Sequence, residues 1–472
     1  MNNPKKNFIY NITYQRLILI IPIITAPYLS RVIGSTGIGT YSYTYSIINY
    51  FMLLTMLGVN NYGNRTIAKV RDNKNELSKA FCSMYVMQLV MGILMLILYL
   101  AYVFLFEKKY TDISLIQSLF LISAMLDINW CFFGLEEFKK NITRSTFVKI
   151  CTVILIFLLV KTNSDIWKYA LIMSSMTCLS QLILWFYIFK RINIVKIKFK
   201  DVLQHIKPNI VLFIPVLAVS LYKIMDKIML GSLTTVSEVG FYENAEKIVN
   251  IPIAIITALG TVMLPRMSNL IAKGEKKQAK EYILKSVYFV MFLSYPMCAG
   301  LIGVGYNFAT FFFGLEFQKT GILIMLLAIT LPFISFANVL RTQYLIPKEM
   351  DKVYIKSVFL GAVVNLIMNL VFIPMYDSIG ACIGTITAEF AVMFYQAIAI
   401  MKELPIKEYV LKTVQYFLKA LVMFIIIYPL NYIEMNSLFR LITQVGLGCL
   451  IYGLLNIKYI ISIVDLKNLK KA

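Results

Sequence analysis

The one histidine in 472 residues, His205, lies in a basic loop, which leaves no plausible His-based metal centre or Ser-His triad. Its seven cysteines are odd in number and scattered through apolar runs without a CxxC pair. They read as small buried hydrophobes and not as a disulfide frame. Charge is scarce, with 15% Asp, Glu, Lys and Arg against about 25% in soluble proteins. No P-loop signature is present, so direct use of ATP is not expected. The first apolar run contains Arg16 and ends in Pro27–Gly34 with no small-residue cleavage site, which argues against a cleavable signal. Neither a catalytic constellation nor a metal site is expected.

What the chain does have is apolar length. Hydrophobic residues make up 59% of it, and the mean hydropathy is +0.74. A helix needs about 20 apolar residues to cross the hydrocarbon core, and by that yardstick about fourteen runs follow one another. Twelve remain if the last two are set aside, but their even pairing favours fourteen. Most of the 46 Lys and Arg residues fall in every second loop or at the termini. This is the positive-inside pattern repeated along the whole chain, and it places both termini in the cytoplasm. A net charge of +22 would suggest nucleic acid in a soluble protein. Here the cations bracket apolar runs, and no nucleic-acid motif accompanies them. The reading is an all-α, multi-pass protein of a bacterial cytoplasmic membrane.

Expected cytoplasmic loops include Asn64–Lys79, Glu136–Lys149, Lys190–Lys207 and Arg266–Lys285, with a tail at Asp465–Ala472. The third is among the longest and most basic and lies near the middle. It divides the chain into an N-terminal six-helix lobe (1–195), a linker (196–207), a second six-helix lobe (208–402) and two further helices with the tail (403–472). Alternation of Ile192, Ile194, Ile197 and Phe199 with Lys196, Lys198 and Lys200 marks the linker as an interfacial segment. An internal repeat supports two lobes. An offset of 201 residues aligns Gly39 with Gly240, Tyr41 with Tyr242, Asn49 with Asn250 and Arg65 with Arg266, as in parallel transporter repeats.

Ionisable groups inside spans are costly and usually face a bundle interior or a water-filled cavity. The seventh run carries Lys223, Asp226 and Lys227. The eighth places Glu243 and Lys247 on one helix face. Arg31 ends the first, Arg341 closes the tenth, and Asp127 and Glu389 lie in the fourth and twelfth. Arg16, Arg31 and Arg341 read either as cavity cations or as side chains that snorkel to an interface. The Lys223–Asp226–Lys227 and Glu243–Lys247 groups read either as site residues or as structural ion pairs. The surplus of cations favours a cavity built for an anion. Pro22, Pro27, Pro215, Pro252, Pro296 and Pro332 interrupt their spans and would kink them.

The stretches YNITYQRLILIIPIITAPYLSRVIGSTGIGTYSYTYSIINYF, LGVNNYGNRTIAKVRD and MDKIMLGSLTTVSEVGFYENAEKI, with LPRMS, closely resemble Wzx-type flippases. These are the polysaccharide repeat-unit transporters of the multidrug/oligosaccharidyl-lipid/polysaccharide export superfamily. The resemblance implies two six-helix lobes in a V, often with two extra C-terminal helices. It implies transfer of undecaprenyl-diphosphate-linked oligosaccharides from the inner to the outer leaflet by alternating access, for capsule, exopolysaccharide or O-antigen synthesis. It also implies a cationic cavity, carried over here to Arg31, Lys223, Lys227 and Arg341. Asp226, Glu243, Lys247 and Glu389 are the candidates for ion pairing or coupling. No cofactor is expected beyond coupling to the membrane potential, H+ or Na+. The expected partners are the lipid-linked oligosaccharide, membrane lipid, and the glycosyltransferases and polymerase of the same pathway.

Physics supports a hydrated path independently. Each sugar hydroxyl costs a few kcal/mol to strip of water, so a repeat unit cannot be dragged through hydrocarbon. Two alternatives stay open within transporters, a lipid II flippase and a cation-coupled drug antiporter. A membrane polymerase or ligase is the alternative from another class. The longest expected outer segment, Tyr306–Thr320, carries only Glu316 and Lys319 as charges, which is little for such an enzyme.

Overall fold

A computed structural model describes residues 4–461, with the side chains of residues 4–20, 215, 218 and 221–223 outside the description. The expected tail therefore lies outside the described residues. In hydrocarbon no water bonds the backbone, so each segment must satisfy its own N–H and C=O groups. All the regular structure among the described residues is accordingly helical.

The chain forms two compact units, Met1–Gly240 and Phe241–Ala472. The first opens with α1 (Pro4–Met56), which turns through a single residue, Gly34, at φ 68° and ψ −177°. Glycine adopts that backbone without the Cβ penalty other residues meet. Near the end of the first leg, Tyr28 donates to the Val160 carbonyl at 2.7 Å. Early in the second leg, Tyr41 packs on Tyr169 with ring centroids 4.6 Å apart. Both legs therefore reach the same end of the unit. Then follow α2 (Val59–Val70), α3 (Lys74–Leu105), α4 (Thr111–Met125), α5 (Asn129–Gly134), α6 (Phe138–Leu159), α7 (Ile166–Ile188), the short α8 (Phe199–Leu203) and α9 (Ile206–Leu233). Phe81, Trp130 and Phe132 centre the core of this unit.

The first unit includes α9, which packs on α1. The two helices run antiparallel and approach closely through a glycine at each end. A Cβ on Gly58 would come 2.3 Å from the Asn209 carbonyl oxygen, and one on Gly231 would come 2.1 Å from the Tyr43 ring.

α10 (Val236–Ala272) begins in the first unit and continues into the second. After it come α11 (Lys276–Phe313), α12 (Gln318–Ala328), α13 (Thr330–Leu340), a π-helical turn at Arg341–Leu345, α14 (Asp351–Ile400), α15 (Ile406–Ile427) and α16 (Ser437–Leu455). α14 folds back at Asp377, φ 51°. Its legs are matched small to large, with Gly361 under Val392 and Gly384 under Asn369, and Gln396 donates to the Ser357 hydroxyl at 2.9 Å. α16 is tied to α11, Tyr452 donating to the Phe292 carbonyl at 3.0 Å. Among the described residues ten helical segments are each long and apolar enough to span a membrane. Counting the legs of α14 separately, and adding the two legs of α1 and α9, gives the fourteen passes expected.

The loops are shorter than expected. Glu136–Lys149 lies mostly in α6, and Arg266–Lys285 mostly in the ends of α10 and α11. A helix has no reason to stop where hydrocarbon ends, because its hydrogen bonds continue into water and propagation is cheap once begun.

The repeat offset reappears as a contact inside the first unit. Thr36 and Ser237, 201 residues apart, share a hydrogen bond of 2.9 Å between their hydroxyls. One turn on, Gly39 and Gly240 meet backbone to backbone.

His205 caps this arrangement at the start of α9. Ser83 donates its hydroxyl hydrogen to the Lys79 carbonyl at 2.8 Å, so it accepts from Nε2–H at 2.9 Å. Nδ1 then accepts from the Tyr62 hydroxyl at 2.9 Å. Burial holds the imidazole below the ordinary value of 6.5, against a smaller opposing pull from Asp201. A base favoured neutral in the fold contributes stability that is complete above about pH 6.5 and is lost as pH falls below it. The melting temperature should therefore drop between about pH 7 and pH 5.5, and the drop should shrink in His205→Gln. Because no other histidine titrates in that window, an unchanged slope would show that His205 is not its source.

Candidate functional site

An ion inside a membrane helix costs about 2.5–3.5 kcal/mol at the helix centre, so its surroundings disclose what compensates it. Five of the sequence-derived candidates fall on α9 and α10. On α9, Asp226 is 3% exposed, and its charge reaches Tyr50 on the second leg of α1. The antiparallel packing explains the pairing, since α9 descends from Gly231 at Tyr43 to Asp226 at Tyr50 while α1 climbs the other way. Lys227 follows on the same turn, half-buried. Lys223 lies one turn earlier, and its side chain, like that of Arg16, is outside the described residues.

On α10, Glu243 and Lys247 form an ion pair one helical turn apart, 3.2 Å between Nζ and Oε1. Their side chains are 17% and 31% exposed, so the pair is partly desolvated and shorter of solvent screening than a surface pair. Tyr242, beside it, shares a 2.9 Å hydrogen bond with Thr385 on the second leg of α14. Glu389, one turn further along that leg, is buried. Asn365 and Asn369 on the first leg are fully buried and bonded to each other at 3.2 Å.

The two remaining cations differ in setting. Arg31 is exposed, and one of its guanidinium nitrogens donates back to the Pro27 carbonyl at 3.3 Å. That carbonyl lies one turn back in its own helix, the arrangement expected of a residue reaching for an interface. Arg341 opens the π-helical turn and lies over the Tyr354 ring, 5.6 Å from its centroid. A π-turn inserted in a helix often marks a functional position, and the aromatic face stabilises a cation by roughly 0.5–2 kcal/mol. Arg31, Asp226 and Lys227 thus belong to the first unit, and Glu243, Lys247, Arg341 and Glu389 to the second.

The structure also assembles a polar cluster that sequence reasoning missed. Arg144 is 7% exposed. Its guanidinium donates to the Ser180 carbonyl (2.7 Å), Gln181 (3.2 Å), Asn129 (3.1 Å), Asn141 (2.6 Å) and the Ser145 hydroxyl (2.9 Å). Asp127, at the break between α4 and α5, accepts from the backbone and side chain of Asn129 at 2.8 and 2.6 Å. Gln88 donates to the carbonyls of Ala124 and Asp127, each at 2.8 Å. A broken membrane helix is tolerated only where protein groups take over its backbone bonds, and these residues do so. The one available signal was the polar density of KNITRS beside an apolar run, which reads equally well as a loop.

The second unit also holds an apolar cavity of about 800 Å³ between α11, α13, α14 and α15, with Lys407 as the one charged residue among those lining it.

Residues 5–271 match the sequence model of the family described as polysaccharide biosynthesis protein, and residues 212–371 match that of the MatE family. A putative O-antigen transporter of Shigella dysenteriae is 24% identical over 401 residues, covering 84% of this chain and 100% of that protein. Its counterpart in Escherichia coli (strain K12) is 23% identical over 401 residues, 82% and 94% of the two chains. Among solved structures, lipid II flippase MurJ in an inward closed conformation matches with a TM-score of 0.78 at 17% identity, covering 97% and 100%. An inward-facing multidrug resistance MATE transporter of the MOP superfamily matches with a TM-score of 0.62 at 13% identity, covering 83% and 98%. At such identities the structures speak to the fold alone, and that fold is the one they share.

Proposed function

The chain belongs to the polysaccharide biosynthesis protein family, and we propose that within it the protein is a flippase for lipid-linked oligosaccharides. The cargo is an undecaprenyl-diphosphate-linked repeat unit. It moves from the inner to the outer leaflet of a bacterial cytoplasmic membrane, with both termini of the protein in the cytoplasm. The observation that carries the reading is similarity to a putative O-antigen transporter along that protein's whole length.

The chemistry of such a cargo explains the mixture of groups found. A diphosphate asks for cations, for which Lys223, Lys227 and Arg341 are the candidates, through charge-assisted hydrogen bonds. Arg31 is the weaker candidate, given its exposed, self-capping position. The oligosaccharide asks for a hydrated path and the polyprenyl tail for hydrocarbon, and the 800 Å³ apolar cavity offers a place of the second kind. The protein makes and breaks no covalent bond in this scheme. With the cell interior negative, outward movement of each net negative charge gains about 2.3 kcal/mol per 100 mV. The membrane potential is therefore the proposed drive, with Asp226, Glu243 or Glu389 as the groups that would couple H+ or Na+. Glycosyltransferases and a polymerase of the same pathway are the proposed partners.

The test is flipping of a fluorescent undecaprenyl-diphosphate oligosaccharide in proteoliposomes, wild type beside Lys223→Ala, Lys227→Ala and Arg341→Ala. We expect transport by wild type and at least about a tenfold loss in the folded variants, the worth of one charge-assisted contact of roughly 1.5–3 kcal/mol. No flipping by folded wild type, with cation-coupled drug efflux in its place, would replace this reading with the antiporter. Full activity in all three variants would leave the cargo standing and remove the cation site.

A further inference from the structure

The segment from Lys190 to Leu203 serves no part of the scheme above. Between Ile192 and Lys198 it is not helical, and from Ile194 to Lys198 its burial alternates with the period of two that extended backbone imposes. Ile192 is 4% exposed, and Val195 and Ile197 pack with it on the core cluster that includes Trp130 and Leu184. The opposite register turns Ile194, 81% exposed, outward together with Lys196 and Lys198. Phe199, 76% exposed, and Lys200 follow as exposed residues at the start of α8. The sequence pattern set all four apolar residues against the lysines. The structure divides them, with Ile192 and Ile197 inside and Ile194 and Phe199 outside.

This strap is held in place. Asn193 donates its backbone N–H to Ser78 on α3 at 3.0 Å, and Lys79 of α3 pairs with Asp201 at 2.9 Å. That bond, with the Lys198 backbone N–H, keeps the Asp201 carboxyl below the usual range. Arg191 is engaged by Glu137. Among the described residues no carboxylate lies within salt-bridge distance of Lys196, Lys198 or Lys200. The strap and the start of α8 therefore expose three cations and two large apolar side chains within seven residues. In water this would be an unfavourable exposure; at a lipid interface both components are satisfied.

We propose that the strap is a binding site for anionic phospholipid headgroups of the inner leaflet. Ile194 and Phe199 enter the acyl boundary, and Lys196, Lys198 and Lys200 meet the phosphates. The inference rests on the reading that this end of the protein faces the cytoplasm, and not on what the protein carries.

Native mass spectrometry of the full-length protein, offered phosphatidylglycerol and phosphatidylcholine in detergent, tests it without any transport assay. Failure of the flippase reading would thus leave this test intact. Wild type should retain phosphatidylglycerol preferentially. Lys196→Gln/Lys198→Gln/Lys200→Gln should lose that preference by roughly fivefold per cation removed. Lys276→Gln/Lys277→Gln/Lys280→Gln, at the exposed start of α11, should keep it. Equal retention by the strap variant, or equal loss in the α11 control, would overturn the proposal. If the strap triple fails to fold, Ile194→Ser/Phe199→Ser should weaken phosphatidylglycerol retention several-fold while Lys→Arg at the three positions preserves it. Undiminished retention by the serine variant would then count against the site.

Discussion

Gly39→Ala, the smallest change a glycine can suffer, should nearly abolish folded, active protein. A Cβ at that position would come 1.6 Å from the Val236 carbonyl oxygen and 2.6 Å from its carbon. Both are backbone atoms, so no side chain can rotate away. Gly240 is in the same position from the other side, with a Cβ 2.1 Å from the Ser35 carbonyl oxygen. Overpacking of ordinary cores costs about 1–3 kcal/mol and occasionally more. Here one helix must retreat from the other, taking the Thr36–Ser237 hydrogen bond with it. Thermal unfolding in detergent should show each variant falling by at least that amount, and flipping should fall at least about tenfold. Gly300→Ala and Gly446→Ala supply the opposite expectation. Each lies in a helix with nothing within 4 Å of the added carbon, and alanine there should stabilise by about 0.5–1 kcal/mol. Gly39→Ala protein that melts like wild type would mean that the crossing is not a tight one.

Arg144→Met should cost about 3–5 kcal/mol, the range for breaking a buried charged network by removing one member. Five acceptors on three segments lose their donor together, from Asn129 beside the α4–α5 break to Ser180 and Gln181 on α7. Each buried acceptor left unmet costs about 1–3 kcal/mol. Lysine should recover little, because a single ammonium cannot span acceptors that a planar fork reaches. The measurement is the melting temperature of the three proteins at one pH. Recovery to the wild-type value in Arg144→Lys would mean that charge, and not fork geometry, holds the break together.

These two positions divide differently between sequence and structure. Gly39 and Gly240 were visible as a repeat pair, since identical residues 201 apart are a pattern in one dimension. That they touch was not visible, because contact depends on where each copy turns. Arg144 was misplaced in a loop. Hydropathy marks where hydrocarbon ends and says nothing about where a helix ends.

Composition and the spacing of apolar runs determined that the chain is a helical membrane protein with about fourteen passes. The reason is that the bilayer fixes both the length of a pass and the need to satisfy the backbone within it. The quoted motifs were enough to place it among flippases. Only the tertiary structure decided which helices share a unit, as with α9 on α1 through Gly58 and Gly231. It also decided which ions are paired, as in Glu243–Lys247, and which face of the basic strap is outside. Those questions turn on packing between residues far apart in the chain, where a glycine's missing Cβ or a helix's rotation by one residue changes the answer.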